Sequence, residues 1–97
     1  MAYSLIIHDK PDAGTIERRL AVRDSHIAKV RELQKSGVIH SGGAMLNEDG
    51  AMVGSVLLVN LATKAECIAL IQSDIYYKEG VWGDYQILEI KILPDPK

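Results

Sequence analysis

The sequence predicts an α+β fold in the order β-α-β-β-α-β, a four-stranded antiparallel sheet with both helices on one face, known as the ferredoxin-like sandwich. Three observations lead to it. The last β-type run alternates Leu88, Ile90 and Ile92 against Glu89 and Lys91; the turn signal Asn47-Glu48-Asp49-Gly50 separates two β-rich runs; and two helical segments carry their own start or stop signals.

The first strand is expected over Tyr3–Asp9, ending where Asp9-Lys10-Pro11-Asp12 favours a turn and the Pro disfavours further pairing. From about Thr15 to Ser36 the chain is rich in Glu, Arg, Ala, Leu and Lys, with Ile27, Val30 and Leu33 spaced to share a face, and Gly37 supplies the left-handed stop. The cluster Arg23-Asp24-Ser25 leaves two readings of this stretch: one continuous helix, or a break with Asp24 or Ser25 capping a second segment near His26. Val38–Leu46 and about Met52–Ala62 form a hairpin across the Asn47–Gly50 turn. Thr63-Lys64-Ala65-Glu66 has the spacing of a capping box and starts the second helix, which runs to about Ser73. A loop or helical turn then carries Asp74 to Gly83, and Tyr85–Leu93 is the closing strand.

The third strand is apolar on both parities, with Val53, Leu57, Val59 and Leu61 on one and Val56 and Leu58 on the other. A sheet face in water alternates to polar residues, so both faces are expected to be covered, most simply by a second copy in a homodimer packed sheet to sheet. The competing reading is that these are ordinary apolar surface residues.

The 97 residues form one unit, with no internal repeat or linker tract, and 47% hydrophobic and 25% charged residues exclude a disordered chain. A net charge of −2 lacks the basic footprint of a nucleic-acid binder. The single Cys67 cannot close an internal disulfide, and the N-terminal apolar run is too short to span a bilayer, so no membrane partner and a cytoplasmic location are expected. His8, His26 and His40 do not form a spaced metal set, and nucleotide-binding and serine-hydrolase motifs are absent, so neither metal nor cofactor is expected.

His26 falls at the edge of the helical apolar face, where an imidazole serves either as a satisfied structural residue or, beside a carboxylate, as a proton-transfer group. Asp74 is the candidate partner. It ends the second helix, where an acid opposes the negative end of the dipole; a plain turn residue is the alternative. Gly42-Gly43 in the second strand marks a bulge, a close approach by a small ligand, or an aromatic packed across the strand. Cys67 reads as core, and Trp82 and Tyr85 read as packing or as the wall of a cleft.

With these residues in place, the chain resembles the YciI-like (YCII-related) family over almost its full length. The resemblance rests on Asp9-Lys10-Pro11, on Arg23-x-x-His26, on Gly37 and Gly43, and on Asp74-x-Tyr76-x-x-x-Gly80-Val81. It implies a small dimeric α/β barrel with a His–Asp dyad, matched here by His26 and Asp74, and lyase, isomerase or dehydrochlorinase-like proton transfer on a small organic molecule. Arg23, Lys10, Gly43 and Tyr76 are the candidate substrate-binding residues, the first two and the tyrosine for an anionic or enolic group. A non-catalytic dimeric module that binds a small ligand or serves in assembly is the competing function. Ala44 and Ile75 stand where the family usually has Pro, which would stiffen the pocket walls.

Overall fold

A computed structural model of the protein describes residues 1–94. Seven elements follow one another: β1 (Ala2–Asp9), α1 (Thr15–Lys35), β2 (Ile39–Leu46), β3 (Met52–Val59), α2 (Lys64–Ser73), α3 (Ile75–Lys78) and β4 (Trp82–Ile90). The strands form one antiparallel sheet in the order β2-β3-β1-β4, the ferredoxin-like topology.

The register decides which side chains meet the helices. Leu5 faces Leu57 on β3 and Ile87 on β4, so Tyr3, Leu5, Ile7, Leu57 and Val59 share the helix side with Ile39 of β2. Leu5, Ile7 and Val59 are fully buried there, each contributing about 1.5–3 kcal/mol. Cys67 and Ile71 of α2 close the core from above. On the opposite face Ile6, Val56, Leu58 and Ile90 are half-buried and Leu88 is exposed. This is the even parity that the alternation argument singled out.

Of the two readings of the first helix, the continuous one holds: α1 is unbroken through Asp24 and Ser25, because strong helix formers on both sides outweigh one cluster of capping residues. Two strand boundaries differ from expectation. The closing strand starts at Trp82, three residues earlier than alternation indicates, because Gly80 turns the chain in the left-handed region and Trp82 pairs with Asp9 across a register shift. The strand β3 stops at Val59 instead of reaching Ala62, while Leu61 still packs against the core from the connection. Other signals act locally as read. Gly37 has φ +84°, Asn47 Oδ1 accepts from the N–H groups of Asp49 and Ala51, and Thr63 Oγ1 caps α2 by accepting from Glu66 N–H at 3.1 Å. The return arm of the capping box goes from the Thr63 hydroxyl to the Glu66 carboxylate at 3.2 Å, not to the Thr63 backbone. Among the described residues no helix is long and apolar enough to cross a membrane.

Candidate functional site

The middle of α1 and the corner between α2 and α3 bring His26 and Asp74 together across 48 positions of sequence. Asp74 has extended backbone (φ −75°, ψ 144°); its N–H closes α2 on Ile71, and its Oδ1 accepts from Tyr76 N–H at 2.8 Å to cap α3. The acid that opposes the dipole of α2 therefore caps the next helical turn. The same carboxylate meets His26 Nδ1 at 2.8 Å through Oδ1 and 3.0 Å through Oδ2. Both side chains are about one-tenth exposed. A carboxylate only accepts, so Nδ1 carries the hydrogen and neutral His26 has its lone pair on Nε2. Nε2 has no protein partner among the described residues, yet it is not sealed off from the space that His26 lines.

Ile75, at the family's Pro position, is the first residue of α3, a site where Pro and other residues are both accommodated since the N–H there has no helical partner. The His26–Asp74 hydrogen bond forms without the ring.

Behind the imidazole stands a packed aromatic and ionic layer. Tyr76 stacks on His26 with ring centroids 3.8 Å apart and planes 13° apart, and Trp82 meets both rings edge-on at 5.6 and 5.7 Å. The Arg19 guanidinium lies 4.8 Å from the Tyr76 ring centroid. It is held from behind: Nη1 donates to both Asp9 oxygens at 2.8 Å, and Nη2 donates to Gly54 O at 3.1 Å and Ser55 Oγ at 3.2 Å. Ser55 Oγ also accepts the Trp82 indole N–H at 3.2 Å. Burial pushes the Asp9 carboxyl up, and Arg19 only partly opposes this. Burial likewise raises the Tyr76 hydroxyl, which stays protonated and able to donate at neutral pH.

A cleft of about 180 Å³ opens on this layer between α1 and β2. His26, Arg23, Tyr76 and Gly43 all line it; Lys10 does not. Lys10 sits in a second hollow beside Asp9, Pro11 and Asp12 at the other end of the helix, its backbone N–H bonded to Val81 O at 2.8 Å. The paired glycines divide their roles. A Cβ at Gly42 would meet Val56 O at 2.5 Å and Leu57 Cδ2 at 2.7 Å, whereas one at Gly43 would meet nothing within 4 Å. Gly42 is thus required by close packing, with Leu57 and not an aromatic as the neighbour, and the strand's register shifts lie on either side of the pair. Trp82 is a buried wall behind the site, and Tyr85 packs against the core.

Sequence reasoning did not single out Arg19, Arg31, Gln34 or Ser55. The available signal was spacing: Arg19, Arg23, His26 and Val30 recur at three- and four-residue intervals, one face of a helix. Among the described residues no group of three or more His, Cys, Asp and Glu side chains converges as a metal site would require.

Fold and site together define a ferredoxin-like α+β protein with a buried His–carboxylate pair opening on a small cleft. The sequence profile of the YCII-related domain matches residues 1–91, and the chain belongs to that family. It is similar to Protein YciI of Escherichia coli, 28% identical over 97 residues with 94% of this chain and 97% of that protein covered. It is also similar to the derivative of benzaldehyde biosynthesis cluster protein C of Emericella nidulans, 28% identical over 85 residues and covering 80% of this chain and 87% of that one. Among solved structures, 5-chloro-2-hydroxyhydroquinone dehydrochlorinase (TftG) from Burkholderia phenoliruptrix, in complex with 2,5-dihydroxybenzoquinone, superposes with a TM-score of 0.79 at 23% identity, covering 94% of each chain. That likeness is one of fold.

Proposed function

We propose that this protein is a cofactor-independent enzyme that moves a proton on a small organic molecule, with His26 as the base and Asp74 fixing its tautomer and stabilising the imidazolium. The observation that carries the reading is the 2.8 Å bond from His26 Nδ1 to a carboxylate that is itself anchored by Tyr76 N–H, on an imidazole that lines the cleft and whose Nε2 has no protein partner among the described residues. Stacking on Tyr76 and edge contact with Trp82 fix the ring plane, as a proton acceptor in a reaction requires. Arg23, Gly43 and Tyr76 are the substrate-binding residues of this proposal; Lys10, one end of α1 away, enters it only if a ligand spans both hollows. The reaction class, a lyase or isomerase step of the dehydrochlorinase kind, is taken from the family resemblance.

We further propose that two copies pair through the outer sheet face, where Ile6, Val56, Leu58 and Leu88 form an apolar patch on strands that hydrogen-bond to one another. The lone Cys67, free and buried, suits a reducing cytoplasmic setting.

The test is proton exchange from deuterated water into a panel of carbonyl and phenolic carbon acids, 5-chloro-2-hydroxyhydroquinone among them. Wild type is expected to label one class, and His26→Ala to abolish labelling while circular dichroism and sedimentation remain unchanged. Labelling that survives His26→Ala and Asp74→Asn contradicts the proposal. Binding of the same compounds without labelling returns the protein to the class of ligand-binding modules.

A further inference from the structure

The cleft carries an unbalanced charge. Four cationic or titratable nitrogen side chains line it, Arg19, Arg23, His26 and Arg31, and no Asp or Glu does. Arg19 is paired with Asp9 and His26 with Asp74, whereas neither Arg23 nor Arg31 is ion-paired among the described residues. Two arginines without a carboxylate partner thus stand at the solvent-exposed rim of one small cavity in a chain whose net charge is −2. Arg31 donates from Nη1 to Gln34 Oε1 at 3.1 Å, which steadies the guanidinium and leaves its other donors free. The rest of the lining is uncharged: Gln34, Ser55 and Tyr76 are its polar side chains, and the others, Ile27, Val30 and Leu57 among them, are apolar or glycine. Arg23 and Arg31 are eight residues apart on one helix, about 12 Å along its axis, with His26 between them.

We infer that the cleft takes a small organic acid about one ring in size, its carboxylate seated on Arg31 and its reacting carbon beneath His26. The inference rests on reading this cleft as the small-molecule site and adds the chemical class of its occupant. The volume suits it, since a cavity of roughly 150 Å³ holds a benzene ring. A planar, fork-shaped guanidinium matches a carboxylate with two parallel charge-assisted bonds, which a neutral molecule of the same size does not offer. The two arginines then have different tasks. Arg31 holds a charge already present in the substrate. Arg23, nearer His26 and Tyr76, faces the oxygen on which charge develops: as a C–H proton passes to Nε2, the electron pair of that bond moves toward the adjoining carbonyl, whose oxygen becomes an enolate. The pair then either takes the proton back at another carbon or expels a leaving group. Arg31 is on this account a specificity-determining residue for the carboxylate.

Benzoate and benzamide, matched in size and differing in charge, test the inference in the intact protein by nuclear magnetic resonance titration. Benzoate is expected to shift the side-chain signals of Arg23, His26 and Arg31, to bind at least about tenfold more tightly than benzamide, and to weaken as salt is raised. Arg31→Met is expected to remove about tenfold of the benzoate affinity and leave benzamide binding unchanged. Equal affinity for the two probes, benzoate shifts confined to the Lys10 hollow, or no benzoate binding at millimolar concentration overturns the inference. The two proposals fail separately. Turnover that survives His26→Ala with the benzoate preference intact removes the catalytic reading alone, and His26-dependent turnover with equal probe affinities removes the organic acid alone.

Discussion

Replacing Arg19 by Met removes the positive half of an ion pair whose side chains are 4% and 6% exposed. Methionine keeps the unbranched stem, so the change falls mainly on charge and hydrogen bonding. Four bonds are lost, two to Asp9, one to Gly54 O and one to Ser55 Oγ, together with the guanidinium beside the Tyr76 ring. The larger cost is the Asp9 carboxylate left buried without its counter-ion, so we expect a loss of about 3–5 kcal/mol, against about 0–1 for a solvated pair. This is a large share of the ~5–15 kcal/mol typical of a domain. The double variant Arg19→Met with Asp9→Leu removes both charges and should recover most of it. Urea unfolding measures both, provided the slope stays constant. The loss has a pH signature. The Asp9 carboxyl is already raised by burial, so this group's contribution is greatest at low pH and falls as pH rises through its folded value. Removing Arg19 raises it further, so the deficit of Arg19→Met should shrink in acid, where Asp9 is neutral. A loss under about 1 kcal/mol, a double variant no better than the single, or a deficit that grows in acid would refute the argument.

Hydrogen bonds from Arg18 and Thr15 hold the exposed Asp12 carboxyl well below the usual carboxylate range, so its stabilisation is present above the unfolded value near ~4 and is lost in acid. Asp12→Asn should therefore flatten the acid limb of melting temperature against pH; an unchanged limb removes Asp12 from that role. Gly42→Ala should cost about 1–3 kcal/mol by collision with β3, and Gly43→Ala less than about 0.5, by chemical denaturation; equal losses would contradict the division between them. Thr63→Ala should cost about 1 kcal/mol and lower the melting temperature by roughly 4–8 °C, and Thr63→Ser should restore most of it.

The element order was legible because each boundary carries local chemistry: Gly37 in the left-handed region, the Asn47 side chain folding its own turn, Thr63 capping α2. The inner layer behind the site was not. Val22, Val30 and Leu33 mark the packed face of α1, but its first turns bury Thr15 and Arg19 there and expose Ile16 and Leu20, so apolar periodicity fails where the arginine lies. A buried arginine is recognisable only through its partners, and Asp9, Gly54 and Ser55 come from two strands whose register no local signal fixes. Asp74 stood out as a partner for His26 by its unfavourable place at the end of α2, with a plain turn residue as the alternative, and only the family resemblance implied a dyad, since the two are 48 positions apart and no spacing rule joins them. Lys10 shows the opposite limit: it belongs to the Asp9-Lys10-Pro11 motif, yet it lines another hollow, in the connection between β1 and α1.

His26 can serve as the base of the cleft only if its hydrogen sits on Nδ1 when the ring is neutral, and the ¹⁵N and ¹H resonances of that imidazole report this directly. With Nδ1–H donated to Asp74, Nε2 should show the shift of an unprotonated nitrogen, and Asp74→Asn should disturb this tautomer balance. A ring carrying its hydrogen on Nε2 in the wild-type protein, indifferent to Asp74→Asn, would leave the cleft without a base.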